Sequence, residues 1–275
     1  MPRLYIGRNQ LLAARCRSHR GQKRFKYTMR SHTLHNFKDN FLAAVQFITI
    51  LLAGKSRYKP REMIAYFPLT GLLLGLMLAL FDALVSLAWS APIAAVLDVI
   101  FLVVLTGALH LDGLGDTADG LLGHHTRERA LEIMKDSRIG AMGLVAVVCC
   151  LALKWAGLSG LTENRFLFLV LVPAWARSGM LFGIKYLPYG RPGGGTGHDL
   201  FSEPLQWIDF RWLPLLAVLT LVTGRTGVGL LLTFTILTIV LVAYFGKRMG
   251  CITGDMMGAM TEVLEAALFV AVATG

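Results

Sequence analysis

Apolar runs fill most of the chain, separated by short polar or glycine-bearing breaks. Residues 65–89, 91–109, 139–161, 165–187, 228–245 and 256–274 are each about as long as a helix needs to cross a hydrocarbon layer. Residues 212–223 are shorter but as apolar, and end in a turn at Gly224–Gly227. The run 41–53 (FLAAVQFITILLA) falls below the ~20 residues that span, and basic residues flank it. It predicts an interfacial or re-entrant half-helix. The pattern predicts an all-α, polytopic membrane bundle of about seven spans plus a short N-terminal half-helix. Gly71 and Gly75 form a G-x-x-x-G that allows close helix packing. Asp82 and Asp98 fall near the outer ends of their runs and are expected at the interface.

Positive-inside logic puts both flanks of the half-helix in the cytoplasm. Counting crossings from there returns 110–138, 188–201 and 247–255 to the same side. The aspartates in these segments played no part in setting the orientation, so their convergence is a separate indication of one cytoplasm-facing site.

Composition agrees with a membrane domain. The chain has 275 residues, 55% hydrophobic and 16% charged, and its mean hydropathy of +0.59 is too high for an ordinary soluble domain. The net charge is +10, and most of it comes from Arg3, Arg8, Arg15, Arg17, Arg20, Lys23, Arg24 and Lys26, with no acid among residues 1–28. Residues 1–36 are therefore set apart as a basic extension, disordered or preceding a later start at Met29, and 37–275 as the membrane-embedded domain. A positive-inside anchor explains this arm better than nucleic-acid binding does. No signal-peptide pattern is expected there. Cys16, Cys149, Cys150 and Cys251 lack C-x-x-C spacing and read as ordinary buried thiols.

Chemistry concentrates in 110–143, HLDGLGDTADGLLGHHTRERALEIMKDSRIGAMG. Asp112, Asp116 and Asp119 fall at i, i+4 and i+7, so a helix would place them on one face. Gly113, Gly115 and Gly120 keep the backbone thin, so a phosphate or metal could approach. Three carboxylates without a thiolate suit Mg²⁺ or Mn²⁺ rather than zinc. His110, His124 and His125 make no H-x-x-x-H pattern. Lys135 and Arg138 suit phosphate, as does Arg191 at the head of the loop GRPGGGTG, which lacks a Walker lysine. The plainer readings are a capping loop, a mixed-charge helix end and a flexible connection. Asp255 opens the last span in TGDMMGA, and Glu262 lies near two turns further on, so the two can share a face toward a polar cavity.

The stretches HLDGLGDTADGLL, LEIMKDSRIGAMG and ITGDMMGAMTEV resemble the cobalamin synthase family of adenosylcobinamide-GDP ribazoletransferases. FLAAVQFITILLA and YFPLTGLLLG are similar to that family's opening, and the likeness runs from about residue 37 to 272. Residues 1–28 have no counterpart in it, and RPGGGTGHDLF is only similar to the expected glycine loop. The resemblance implies joining α-ribazole, or its 5′-phosphate, to adenosylcobinamide-GDP with release of GMP. It implies Mg²⁺ as cofactor and a site on the cytoplasmic face of the bacterial inner membrane. Asp112, Asp116 and Asp119 become the expected metal ligands, with Asp136 as a fourth. Asp119 or His110 becomes the expected general base. Lys135, Arg138 and Arg191 are expected to hold phosphates, with Asp255 also on the substrate. A CDP-alcohol-type phosphotransferase is the nearest alternative, but Gly115-Asp116 stands where its A-R pair belongs. A cation-coupled transporter would favour mid-membrane acids and paired broken helices.

Overall fold

The apolar runs fold as helices in the computed structural model of the protein, which describes residues 34–51, 60–123, 125–191 and 197–273. The basic arm 1–28, Met29, Lys55, Arg57, Lys59, His124 and the glycine loop 192–196 lie outside the described residues, and so does Cys16. In chain order the helices are α1 (Leu34–Ile48), α2 (Pro60–Val85), α3 (Ala91–Thr106), α4 (Leu109–Leu121) and α5 (Arg127–Ile133). Then come α6 (Ala141–Gly160), α7 (Arg165–Tyr186), α8 (Leu213–Leu221), α9 (Arg225–Met249) and α10 (Gly254–Val272). Two 3₁₀ turns, His198–Phe201 and Trp207–Phe210, interrupt the connection from α7 to α8. Asn36–Gly275 is one compact unit.

By length and composition, four of these helices could cross a membrane: α2, α6, α7 and α9. The bent pair α3–α4 would make a fifth. The expected count of seven is not reached on these criteria, for two reasons. α8 has only nine residues. α10 carries Asp255, Glu262 and Glu265, yet it is buried along almost its whole length between α4, α6, α7 and α9. α1 has 15 residues, a length of about 22 Å at 1.5 Å per residue, so the half-helix does not span.

Backbone contact through glycine packs α2 on α7. A Cβ at Gly71 would come within 2.5 Å of the Ala174 Cα, and one at Gly75 within 2.7 Å of the Leu169 carbonyl oxygen. The G-x-x-x-G is thus a packing device. Between α3 and α4 the chain turns by 90°. Gly107 and Ala108 make that corner in the left-handed region, at φ 60° and 57°. For alanine this conformation costs roughly 1–2 kcal/mol, which the surrounding packing must offset.

Asp82 and Asp98 are not interfacial: both are buried against Arg165 at the start of α7. Arg165 grips Asp82 with two bonds of 2.6 and 2.9 Å and reaches Asp98 at 3.3 Å. Its remaining nitrogen donates to the Leu158 and Leu161 carbonyls at the end of α6. One arginine thus ties four helices together at the end remote from α4. Cys149, expected to be buried, faces outward from α6, whereas Cys150 and Cys251 are buried free thiols.

A second ion cluster lies inside the bundle. Lys154 of α6 bonds Glu262 at 2.6 Å and Glu265 at 2.5 Å, and Arg177 of α7 bonds the other Glu265 oxygen. All four side chains are at most 3% exposed. Two cations meet two carboxylates, so the cluster is neutral, which is what permits charge in an apolar interior. Glu262 therefore faces this cluster rather than sharing an open cavity with Asp255.

Candidate active site

α4 presents two different sides. His110, Leu114, Thr117 and Leu121 are buried, while Asp112 is exposed and Asp116 and Asp119 are partly exposed. The helical phase read from the spacing is therefore realised. With 13 residues, about 20 Å, and a right-angle turn from α3, α4 is too short to span. Gly113 lets α10 approach: a Cβ there would meet the Asp255 carbonyl oxygen at 2.7 Å. Gly258 of α10 also packs against the backbone of His110, which a Cβ there would meet at 3.2 Å. These contacts place Asp255, in the first turn of α10, beside the aspartate face.

Like charge accumulates on that face. Partial burial, with the neighbouring Asp112 and Asp255 carboxylates, pushes the Asp116 carboxyl up to about 6. Arg191 enters from the α7–α8 connection, donating to Asp255 at 2.6 Å and to the Met134 carbonyl at 3.0 Å. Thr253 caps α10 through the Met256 amide at 3.2 Å. Arg248, at the end of α9, donates to the carbonyls of Gly123 and His125 at 3.0 Å each. The segments 110–138, 188–191 and 247–255 therefore do converge, as the crossing count required.

Asp119 is already engaged. Its carboxylate accepts from the Gly140 and Gly143 amides, at 2.6 and 2.8 Å, at the start of α6. Gly140, the N-cap of α6, has no side chain to cap with, so Asp119 caps the helix from across the site. Asp136 is held by Arg138 through bonds of 2.6 and 3.0 Å, and this pairing draws its carboxyl down to about 2. Asp119, Asp136 and Arg138, with Arg129 and Glu132, line an open cavity of about 210 Å³. Lys135 is exposed and is not part of that lining. His110 points the other way. It is 4% exposed and lies within electrostatic reach of Glu262, Lys154 and Arg177.

Among the described residues no three Asp, Glu, His or Cys side chains close around a single point. The donors on the face nevertheless suit a hard cation. They are oxygen-only, they carry excess negative charge, and their crowding is visible in Asp116. Mg²⁺ commonly takes one or two protein carboxylates and completes its shell with water and substrate phosphates. That demands less of the chain than a closed protein cage.

A family model for cobalamin-5-phosphate synthase matches residues 40–273. The chain belongs to this family. Its relatives include an adenosylcobinamide-GDP ribazoletransferase of Geotalea daltonii, 36% identical over 82% of this chain and 93% of the relative. Proteins of the same description from Pseudomonas entomophila and Roseiflexus sp. are 40% and 37% identical. They cover 85% and 81% of this chain, and 98% and 84% of their own lengths. No solved structure matches. The family membership decides against the CDP-alcohol phosphotransferase and the transporter. Lys154 and Arg165, which tie the helices of this chain together, belong to none of the motifs in the sequence. A lone cation within an apolar run, for Lys154, or at the start of one, for Arg165, is their only sequence signal.

Proposed function

We infer that the chain is an adenosylcobinamide-GDP ribazoletransferase. The observation that carries this reading is the family match, together with the fall of its most distinctive stretches on one open face. In the reaction a ribose hydroxyl of α-ribazole, or of its 5′-phosphate, forms a new bond to the phosphate on the cobinamide side chain. The phosphoanhydride bond to GMP breaks, and the hydroxyl proton passes to a base.

Each residue has a task in this scheme. Asp112 and Asp116 would hold Mg²⁺, with Asp119 and Asp136 reaching the ion only from their existing amide and arginine partners. When bound, Mg²⁺ neutralises the phosphates and the departing GMP. Arg191, fixed by Asp255, and Arg138 on the cavity wall would orient phosphate oxygens, with the exposed Lys135 adding positive charge from the same segment. Asp119 is the better candidate base: it stands on the open face and each carboxylate oxygen keeps a free lone pair beside its amide donor. His110, turned into the bundle, positions α4 instead.

The site is assigned to the cytoplasmic face of a bacterial inner membrane. Arg61, Lys185, Arg211, Lys247 and Arg248 sit toward the end that carries the aspartates, while Arg165 and Arg225 begin helices at the other. That bias is the positive-inside pattern. The test is turnover in purified membranes given adenosylcobinamide-GDP and α-ribazole. GMP release with formation of a cobalamin is expected with Mg²⁺ and should stop with a chelator. Reaction with CDP-alcohol substrates instead would overturn the reading.

A further inference from the structure

A second cavity lies on the segment that leads to Arg191 and has a different chemistry. It measures about 350 Å³ and is lined by Pro188, Tyr189, His198, Phe201 and Ser202. Tyr189 and Phe201 stand with ring centroids 5.1 Å apart and tilted by 37°. His198 meets Tyr189 edge-on at 5.9 Å and 77°. Tyr189 and Phe201 are only partly buried and His198 is exposed, so the rings border open space rather than filling a core.

The cavity is tied to the phosphate-holding residues by backbone. The Ile252 amide donates to the Pro188 carbonyl at 2.9 Å, and the Gly190 amide to the Ile252 carbonyl at 2.9 Å. This bridge fastens Tyr189 to the segment that leads into Asp255. Two residues beyond Tyr189, Arg191 makes its pair with Asp255. The Tyr189 hydroxyl lies within electrostatic reach of both.

We propose that the Tyr189–His198–Phe201 cavity binds the planar heterocycle of a nucleoside-type substrate, with the attached phosphate directed to Arg191. The proposal rests on the transferase reading above, because both substrates of that reaction carry a heterocycle on ribose. Ring stacking tolerates different bases, since each has a π-face. The Ser202 hydroxyl and a His198 nitrogen offer edge hydrogen bonds. The volume falls within the range of small-molecule pockets, roughly 300–1,000 Å³. The shared chemistry fits the guanine of the leaving GMP and the base of α-ribazole, and the test separates the two.

The full chain in detergent is compared with Tyr189→Ala, which keeps the backbone bridge, and with His198→Ala on the exposed wall. KM is measured for each substrate with the other saturating, and GMP and α-ribazole binding are measured separately by calorimetric titration. Loss of one stacking ring should raise one KM about tenfold, with kcat moved less, and Tyr189→Phe should recover most of the loss over Tyr189→Ala. A weakened GMP titration assigns the cavity to guanine, and a weakened α-ribazole titration to the ribazole base. Unchanged affinity for both ligands in Tyr189→Ala and His198→Ala overturns the proposal. A parent chain that binds but never turns over overturns the transferase reading alone, because the titrations still decide the cavity.

Discussion

α4 and α10 each carry ionisable side chains on two sides, and the two sides are treated in opposite ways. Inward, Glu262 and Glu265 of α10 meet Lys154 and Arg177, and His110 of α4 lies beside them. Outward, Asp112 and Asp116 of α4 gather beside Asp255 at the start of α10, with Arg191 as the cation bonded there. The inner cluster is neutral and closed, and its carboxylates already have their cations. The outer one is open and, among the described residues, keeps more negative charge than it has cations bonded to it. A neutral buried cluster fixes helices in place. An acidic surface short of positive charge calls for a cation from solution. The same pair of helices thus supplies a closed, neutral frame on one side and an open acidic face on the other.

The sharpest way to break the comparison is to treat the inner cluster as if it were the outer. Lys154→Met leaves two buried carboxylates with one cation and should cost about 3–5 kcal/mol, seen as a large fall in thermal stability in detergent. Asp116→Asn should do the reverse. It relieves repulsion, so stability should hold or rise, while turnover falls beyond the about 10–100-fold that even outer-shell partners of a metal cost. Asp119→Ala lies between the two regions in kind. It uncaps α6, at about 0.5–2 kcal/mol, and also removes a carboxylate from the aspartate face proposed as the site, so melting temperature and turnover should drop together. Arg191→Lys keeps the charge but loses the planar guanidinium, one nitrogen of which donates to both Asp255 and the Met134 carbonyl. Turnover should fall by roughly tenfold, the equivalent of one weakened charged hydrogen bond, with stability little changed.

The smallest effect expected is a pH dependence. The Asp116 carboxyl titrates at about 6 in the folded chain against 3.8 ordinarily. A raised acid favours the folded state at low pH, and that contribution is lost as pH rises through about 6. Without divalent cation, the parent should therefore lose melting temperature relative to Asp116→Asn between pH 4 and about pH 7. Added Mg²⁺ should cancel the difference at the upper end. An identical pH trend in both proteins would mean that Asp116 is not crowded by its neighbours.

Much of the outer region was legible in the sequence, because its signals are local. Asp112, Asp116 and Asp119 lie within eight residues, so helical phase alone places them on one side. Gly71 and Gly75 likewise announce a close crossing without naming the partner, which proved to be α7. The inner region was not legible, because its partners are far apart in the chain. Lys154 finds carboxylates 108 and 111 residues away, and Arg165 finds Asp82 and Asp98 at separations of 83 and 67. No periodicity links such positions. The acids on α10 mark it as unsuited to lipid, and only the surrounding helices explain how they are tolerated. Asp119 was legible as a carboxylate on the face, but its bonds to Gly140 and Gly143 depend on how α6 starts.

The most direct test compares the parent and Asp116→Asn in one preparation, measuring GMP release from adenosylcobinamide-GDP with Mg²⁺ alongside thermal stability. The account predicts that Asp116→Asn inserts, melts at or above the parent's temperature, and releases essentially no GMP. An Asp116→Asn protein that turns over like the parent would contradict the claim that this acidic face is the cation-dependent catalytic site.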